Sequence, residues 1–270
     1  MIKITDLTYK YKTGDQVLKN INLEINTGEF VCIVGKNGSG KSTLGKLIAG
    51  LLKPTKGQIL IDEIDISKKE NFLQARQTVG IVFQNPENQL IFNNIQDEMK
   101  FALNNLEIDN AQEKIDLSLS QVGMQIDNTK DIFELSLGQK QRIAIAEVLS
   151  LEPKYIVCDE PTTMLDSKGK EDVYEIIKKL KEQGYTIVYI TNYADEMLLA
   201  DRIIIVDNAE VVKEIKKEDL LDNLECLKQY EIKIPTIVQI LAKLREKGIY
   251  INLSDLSTEE IIERIIGELR

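Results

Sequence analysis

Apolar residues alternate with polar ones at the start of the chain, in residues 2–11 and again in residues 17–25. This period of two predicts two β-strands, joined by a turn at residues 13–16. Short apolar runs predict further strands, and a later alternating segment predicts a hairpin; the runs are 30–34, 58–64, 78–83, 155–159 and 185–191, and the hairpin is 202–215. The continuous runs are typical of strands buried on both faces.

Helical patterns separate these strands. They cover residues 41–52, 140–150 and 167–183, with Asp166 or Ser167 as N-cap and Gly184 as C-cap of the third. Alternation of apolar strands with helices favours an α/β fold with a mostly parallel sheet covered by helices. The more polar segment 85–133 is predicted to be mostly helical. We interpret the region of about 85–150 as an insertion into the α/β core.

The pattern changes after about residue 221. Apolar residues recur there at helical spacing, with Pro235 near the start of the helix and Gly248 after its end; they are Ile234, Ile237, Val238, Leu241 and Leu244. A second amphipathic helix is predicted over 259–269. We therefore predict a main domain of residues 1–220 and a small C-terminal domain of residues 221–270.

Composition and charge restrict the possible partners. The 270 residues carry a formal net charge of −10, which argues against binding to nucleic acid or directly to anionic lipid. No apolar run approaches the roughly 18 residues that span a bilayer, and the N-terminus lacks the apolar core of a signal peptide. The protein is therefore expected in the cytosol, and any work at a membrane requires a protein partner.

Cysteine and histidine content narrows the chemistry. Cys32 and Cys158 lie in apolar runs and, with Cys226, are interpreted as free thiols rather than metal ligands. The chain contains no histidine, which excludes histidine-based catalysis and metal binding.

A glycine-rich segment after the third predicted strand reads Gly-Lys-Asn-Gly-Ser-Gly-Lys-Ser. This is the complete pattern of a phosphate-binding loop, in which backbone N–H groups surround phosphate oxygens. Lys41 would contact the outer phosphates, the Ser42 hydroxyl would bind Mg²⁺, and the following helix would direct its positive end at the same anion. The alternative is a glycine-rich turn without a ligand. The residues predicted to bind nucleotide here are Gly35, Lys36, Asn37, Gly38, Ser39, Gly40, Lys41, Ser42 and Thr43.

Two carboxylates, Asp159 and Glu160, follow the apolar run 155–158. A strand delivers such residues to the rim of the sheet, where ligands collect in α/β folds. Asp159 is then placed to hold Mg²⁺, and Glu160 to orient the water that attacks the γ-phosphate. The alternative is a solvent-exposed polar strand end.

With these motifs the chain resembles the nucleotide-binding subunits of ABC transporters over roughly residues 1–215. The segment 135–139 is similar to the family's signature motif, and 163–166 to its D-loop. The resemblance implies that Ser136, Gly138 and Gln139 contact the γ-phosphate held by an opposite subunit. It implies that Gln84 touches Mg²⁺ or its water and faces a membrane partner. It further implies that Tyr11 stacks on adenine, although local packing of Tyr11 is an alternative.

The resemblance also implies a fold and its ligands. The fold is that of P-loop NTPases of the ABC type: a RecA-like, mostly parallel core sheet, an antiparallel β subdomain, a helical insertion and here a small C-terminal extension. The ligands are ATP and Mg²⁺. The catalytic residues would be Lys41, Gln84, Glu160 and the residue at position 192.

A narrower resemblance is to the ATPases of energy-coupling factor importers, which take up vitamins or transition-metal ions such as cobalt. It rests on the segments 83–89, 161–166 and 234–240. It implies a second ATPase subunit, an integral membrane component contacted through the Gln84 region, and a location at the cytoplasmic face of the cell membrane. The segment 234–240 resembles a dimerisation region, but packing on the chain's own core explains its periodicity equally well.

The sequence departs from the ABC pattern at two positions. Asn192 stands where the family usually has a histidine that contacts the γ-phosphate; it still donates a hydrogen bond but carries no positive charge. Leu137 stands where the signature commonly has glycine. Either this position tolerates side chains, or the leucine loosens the shared site.

The resemblance implies that these departures belong to different nucleotide sites of a dimer: Asn192 would act with its own Lys41, and Leu137 at the partner's phosphate loop. Energy-coupling factor importers often pair two unlike ATPases. We therefore favour a heterodimer over a homodimer. Two alternatives stay open: a regulatory ATP-binding half that hydrolyses poorly, and a soluble ABC ATPase that acts on DNA or ribosomes.

Overall fold

The structure is a computed structural model of the full chain. It describes residues 1–12, 14–106, 108–124, 131–251, 253 and 258–268. Position 13 of the predicted first turn and position 269 of the predicted last helix lie outside the described residues.

In the described part of the chain, ten strands form two sheets. Their bounds are β1 Ile2–Lys10, β2 Gln16–Ile25, β3 Phe30–Val34, β4 Lys56–Ile61, β5 Ile64–Asp65, β6 Val79–Val82, β7 Tyr155–Asp159, β8 Thr186–Ile190, β9 Arg202–Asp207 and β10 Glu210–Lys216. The smaller sheet is antiparallel, in the order β2-β1-β4-β5. The larger sheet has the order β10-β9-β3-β8-β7-β6, and only β10 runs antiparallel to its neighbour. The predicted mostly parallel core sheet and antiparallel subdomain are confirmed.

The helices are α1 Lys41–Ile48, α2 Phe72–Thr78, α3 Ile95–Asn105, α4 Ala111–Gln121, α5 Leu137–Ser150, α6 Ser167–Glu182, α7 Leu224–Gln229, α8 Thr236–Glu246 and α9 Thr258–Glu268. The predicted end of α1 at residue 52 is wrong, because Gly50 takes a left-handed φ of 66° and the chain leaves the helix before it. The prediction of mostly helix in 85–133 is confirmed for α3 and α4, whereas residues 85–94 hold only the short 3₁₀ turn Pro86–Asn88; positions 107 and 125–130 lie outside the described residues. Helix α2 was not predicted, and it is too short to show a clear period.

Asp166 is confirmed as the N-cap of α6, since its side chain accepts a hydrogen bond from the Gly169 N–H at 2.8 Å. The hairpin is confirmed as β9 and β10. Cys32 and Cys158 are fully buried free thiols, as expected, and burial raises the pKa of both.

Two apolar clusters cover the two faces of the parallel sheet. One joins this sheet to α1 and the antiparallel sheet, and the other joins it to the helices of the insertion. The second cluster also contains buried Leu227, Val238 and Leu241 from the C-terminal extension. Within the described residues, no helix is both long and apolar enough to cross a membrane.

The order of the parallel strands determines where the polar segments meet. β8 lies between β3 and β7, and all three run in the same direction. The segments at their carboxyl ends, 35–42 after β3, 159–160 at the end of β7 and 191–193 after β8, therefore meet at one edge of the sheet.

Candidate nucleotide-binding site

Two glycines shape the loop between β3 and α1. Gly35 has φ 154°, and a Cβ there would lie 2.0 Å from the carbonyl oxygen of Val206. Gly40 has φ 109°, and a Cβ there would lie 2.7 Å from the carbonyl oxygen of Val17. Any larger residue at either position would have to displace backbone. The loop is therefore seated against β9 and β2 only because these two residues have no side chain.

Lys41 is enclosed by this loop. Its Nζ donates to the carbonyl oxygens of Gly35 at 2.8 Å and Lys36 at 3.0 Å, and its side chain is buried. Burial lowers the pKa of Lys41, while the charges of Glu160 and Asp159 oppose that change. Carbonyl dipoles balance a buried ammonium only in part, so an anion such as a phosphate oxygen is favoured beside it.

Ser42 and Asp159 are paired across the sheet edge. The Ser42 hydroxyl donates to Oδ1 of Asp159 at 2.7 Å. Burial raises the pKa of Asp159, and the bond from Ser42 and the positive charges of Lys46 and Lys41 oppose that rise. A hydroxyl and a buried carboxylate this close offer the hard oxygen ligands that Mg²⁺ requires, so the residues present fit this ion.

Glu160 follows Asp159 in a strained backbone conformation. Its φ is 49°, a left-handed value that is uncommon for a residue with a side chain. The backbone is held there because the Glu160 N–H donates to the Ile190 carbonyl at 2.9 Å. The Thr163 hydroxyl donates to Oε2 at 3.2 Å. The carboxylate is thus fixed at the rim, beside the end of β8.

Asn192 lies directly after β8, and its side chain contacts residues from the two adjacent strand ends. Its Nδ2 donates to Oε1 of Glu160 at 3.0 Å and to Oδ1 of Asn37 at 2.9 Å. Exposed Gln84 lines one open depression together with Asn37, Glu160 and Asn192. Gln84, Glu160 and Asn192 therefore line one depression. Ser42 pairs with Asp159, the residue before Glu160, and the charges of Glu160 and Asp159 act on Lys41.

Tyr11, which was predicted to stack on adenine, makes a polar contact. The hydroxyl of half-exposed Tyr11 lies 3.2 Å from the Thr43 hydroxyl at the start of α1, and its ring meets that of Tyr9 edge to face at 5.0 Å. Tyr11 is thus placed beside the helix of the phosphate loop with 41% of its surface exposed.

The signature residues lie in another depression. Ser136, Gly138 and Gln139 line it with Met164 and Asp166. None of the residues that the structure records around the Glu160 depression belongs to this group. One chain therefore presents the phosphate loop and the signature as two separate surfaces.

Local capping explains the shape of the signature. The Ser136 hydroxyl accepts from the Gln139 N–H, and the Gln139 side chain accepts from the Ser136 N–H, which forms a capping box at the start of α5. Gly138 lets α5 approach α6, since a Cβ there would lie 3.3 Å from the Cα of Gly169. Leu137 is half-buried and packs on the apolar core.

The C-terminal extension reaches the phosphate loop, which was not predicted. Nζ of Lys36 lies 2.7 Å from Oε1 of Glu231. Lys233 and Ile234 line the Glu160 depression. No local sequence signal marks the ion pair between Lys36 and Glu231, because the two residues lie 195 positions apart.

A second contact that the sequence did not reveal lies behind Glu160 and Asn192. Buried Glu196 accepts hydrogen bonds from the hydroxyls of Thr162 and Thr191. The two carboxylates Asp195 and Glu196 in the otherwise apolar segment 194–200 are a weak signal that could have drawn attention to it.

The fold and the site define a P-loop ATPase of the ABC type. The family model described as "ABC transporter" matches residues 18–163. The chain belongs to the ABC transporter family; it binds ATP and is a transport-coupled ATPase.

Proteins similar in sequence to this chain have names more specific than the family's. The chain is 38% identical over 273 residues to the energy-coupling factor transporter ATP-binding protein EcfA1 of Clostridium perfringens, covering 98% of this chain and 97% of the relative. It is 38% identical over 272 residues to EcfA1 of Caldanaerobacter subterraneus, covering 98% of each.

The chain is also similar to solved structures of ABC ATPases. CbiO1 from Clostridium perfringens, described as part of the ABC transporter complex cbiONQ, has a TM-score of 0.74 and 32% identity, covering 88% of this chain and 97% of CbiO1. The ATP-binding cassette MJ0796, a dimer bound to ADP and phosphate, has a TM-score of 0.72 and 33% identity, covering 80% and 98%.

Proposed function

We propose that this chain is the ATP-hydrolysing subunit of an energy-coupling factor importer for a vitamin or a transition-metal ion such as cobalt. The observation that carries the mechanism is the separation of the phosphate loop from the signature on one chain. A second ATPase chain would place its signature segment against the phosphate loop of this chain. The signature segment of this chain would, in the same way, contact the phosphate loop of the second chain. Two ATP molecules would then be enclosed, and closure of the dimer would power transport.

Each site residue has a role that its contacts support. Lys41 would exchange the loop carbonyls for the outer phosphate oxygens, because a phosphate carries full negative charge. Glu160, fixed by Thr163 and Asn192, would orient the attacking water. The other loop residues would bind phosphate through backbone N–H groups, and Tyr11 would stack on the base.

Mg²⁺ would bind to Ser42, Asp159 and Gln84, and it would neutralise charge on the phosphates when bound. The short bond between Ser42 and Asp159 supports this donor set. Gln84 lines the same depression as Glu160. A change at the nucleotide site would therefore move Gln84 and the segment that follows it.

Contacts between the Gln84 segment and α5 support transmission of closure to a membrane partner. Lys140 pairs with Glu87 at 2.6 Å, Gln141 donates to the Phe83 carbonyl at 3.0 Å, and Gln89 donates to the Ala144 carbonyl at 3.0 Å. Movement of the signature helix would therefore move this segment. The exposed apolar Ile91 follows it and would contact an integral membrane component at the cytoplasmic face.

The partner ATPase is proposed to be a different chain. A homodimer would carry both Asn192 and Leu137 in each of its sites, whereas a heterodimer separates them. Leu137 packs on the core, which favours the reading that the signature tolerates it. The C-terminal domain, residues 221–270, is proposed to contribute to the dimer contact.

Replacement of Glu160 by glutamine tests the central role. Glu160→Gln keeps the shape and the bond from Asn192 but removes the carboxylate, so ATP turnover should fall about 100-fold or more and an ATP-bound dimer should accumulate. Gel filtration with ATP and Mg²⁺ measures the dimer. Glu210→Gln, on the exposed hairpin, is the matched control. Unchanged turnover in Glu160→Gln would remove Glu160 from the catalytic role.

Two further measurements separate the remaining possibilities. Turnover of the pure chain is compared with that of a mixture with a second, co-encoded ATPase; equal rates would contradict the heterodimer. The tagged chain is also isolated from detergent-solubilised membranes. Recovery of a hydrophobic subunit supports the importer, and very slow turnover in the mixture would favour the regulatory half instead.

A further inference from the structure

Glu196 is a buried carboxylate outside the roles described so far. It lies in the short 3₁₀ segment Asp195–Leu199, and only 8% of its surface is exposed. Oε1 accepts a hydrogen bond from the Thr162 hydroxyl at 2.5 Å, and Oε2 accepts one from the Thr191 hydroxyl. One carboxylate therefore joins the segment after β7 to the segment after β8.

The two threonines flank the residues of the hydrolytic site. Thr162 lies two positions after Glu160, and Thr191 directly precedes Asn192. On the solvent side, Asn192 donates to Glu160 across the same two segments. The segments are thus bridged twice, once inside through Glu196 and once at the rim through Asn192.

Burying the Glu196 carboxylate costs desolvation free energy, which argues that Glu196 does more than fill space. Burial raises the pKa of Glu196, and the hydroxyl bonds together with the charge of Lys170 oppose that rise. An apolar side chain would avoid this desolvation cost. The bridge instead fixes two hydroxyls, and the Thr191 oxygen in turn accepts the Tyr193 N–H at 2.9 Å, which orients the chain around Asn192.

We propose that Glu196 is a positioning residue for ATP hydrolysis: by holding Thr162 and Thr191 together, it sets the contact between the Glu160 carboxylate and the Asn192 amide. The proposal rests on the function proposed above for Glu160 and Asn192. The bridge adds to the bond from the Glu160 N–H to the Ile190 carbonyl, and strain such as the left-handed backbone at Glu160 persists only where surrounding contacts over-determine it.

The proposal separates turnover from nucleotide binding. The hydrogen bonds of Glu196 lie at the ends of β7 and β8, whereas Lys41 and Ser42, which would hold the phosphates and Mg²⁺, lie after β3 and have their own partners. Asn192 touches the phosphate loop at Asn37, through a side chain that is not itself a phosphate ligand in the proposed site. Loosening the bridge should therefore lower kcat while the Kd for ATP stays within about twofold. Displacement of Glu160 and Asn192 from their contact should lower the rate of hydrolysis on the order of tenfold or more.

Thr191→Val is the main variant, because valine keeps the shape and removes the hydroxyl. Its matched control is Thr186→Val, at the other end of β8, where an equally buried hydroxyl accepts the Gly28 N–H at 2.8 Å. Thr191→Ser retains the hydroxyl and should retain turnover. Turnover is measured on the full chain, alone and in the complex isolated with it from membranes, and is normalised to the folded fraction from thermal melting.

A second pair of variants tests Glu196 itself. Glu196→Ala should lower kcat about tenfold. Glu196→Gln should recover most of that loss, since its amide accepts one hydroxyl proton and donates to the other hydroxyl oxygen. If Glu196→Ala does not fold, the comparison of Thr191→Val with Thr186→Val still decides the question.

The outcomes are distinct. A selective fall of kcat in Thr191→Val and Glu196→Ala supports the positioning role. Equal turnover in Thr191→Val and Thr186→Val, or a Kd for ATP that worsens as much as kcat, overturns it. Glu160→Gln is measured in parallel: if it abolishes turnover while Thr191→Val does not lower it, only the positioning role fails. If Glu160→Gln is fully active, the proposed function fails first.

Discussion

Asn192 donates from its side-chain nitrogen to the Glu160 carboxylate, with 3.0 Å between Nδ2 and Oε1, and the same nitrogen donates to Asn37 at 2.9 Å. Both N–H bonds of the amide are therefore used within the chain. To donate to a phosphate, Asn192 has to release one of these partners. In this arrangement it connects the proposed catalytic carboxylate to the phosphate loop.

Asn192→His should change the pH dependence of turnover. The substitution introduces the chain's only histidine, and a free imidazole titrates near pH 6.5. Protonated, it adds a positive charge beside the γ-phosphate, so turnover should rise by about tenfold at pH 6 and acquire a step that the wild type lacks. The measurement is a steady-state ATPase profile from pH 5.5 to 8.5. Asn192→Ala is the control, and a profile identical to that of the wild type would contradict the prediction.

Asp159→Asn should stabilise the chain without nucleotide and abolish Mg²⁺-dependent hydrolysis. Burial raises the pKa of Asp159 above its unfolded value, so the wild type loses stability as pH rises through the folded pKa. Asparagine avoids burying a charge and still accepts the bond from Ser42. We expect the melting temperature to rise by about 2–4 °C at pH 8, the shift that ~1 kcal/mol produces in a domain of nearly this size.

The check for Asp159→Asn is thermal melting with and without ATP and Mg²⁺. The variant should lose the stabilisation that the two ligands give together to the wild type. A lower melting temperature without ligands would show that the charge itself stabilises the loop.

Glu147→Gln should remove a pH dependence of stability. Burial raises the pKa of Glu147 to about 7; the bond from Gln89 opposes that rise, and the charge of Glu98 adds to it. Because the folded pKa lies above the unfolded value, the folded state binds the proton more tightly. The wild type should therefore lose stability as pH rises from about 4.5 to about 7.

The glutamine variant accepts the same bond from Gln89 and carries no charge, so it should be more stable at pH 8 by on the order of 1–3 kcal/mol. Urea unfolding of both proteins at pH 5.5 and pH 8 measures the difference. The prediction is wrong if the two proteins differ equally at both pH values.

Glu231→Gln should tighten ATP binding at low salt. The Glu231 carboxylate pairs with Lys36 of the phosphate loop at 2.7 Å and adds negative charge near the polyphosphate site. Both side chains are exposed, so the effect should be modest, about two- to fivefold in Kd, and should fade as salt screens the charges.

Equilibrium binding of ATP at low and at 0.3–0.5 M salt, a range in which charges are strongly screened, tests this prediction. Glu225→Gln is the matched control, because Glu225 pairs with Lys228 inside α7 at 2.6 Å. Equal affinities of the two variants at low salt would show that Glu231 does not influence the nucleotide site.

The sequence by itself determined the features that depend on neighbouring residues. The phosphate loop needs glycines within eight positions, and the capping box at Ser136 needs Gln139 three positions later. The buried strands show as short apolar runs, and their order with the helices predicted the parallel sheet. Local spacing is enough for these features because their hydrogen bonds and burial patterns repeat over a few residues.

Tertiary structure alone decided which distant side chains meet. Asn192 reaches Glu160 and Asn37 because β8 lies between β7 and β3, and the sequence does not state that strand order. The Glu196 bridge and the pairing of Lys36 with Glu231 depend on the same arrangement. Strand order is set by the packing of whole elements around shared apolar clusters, so contacts between strand ends follow from the complete fold and leave no periodic signal along the chain.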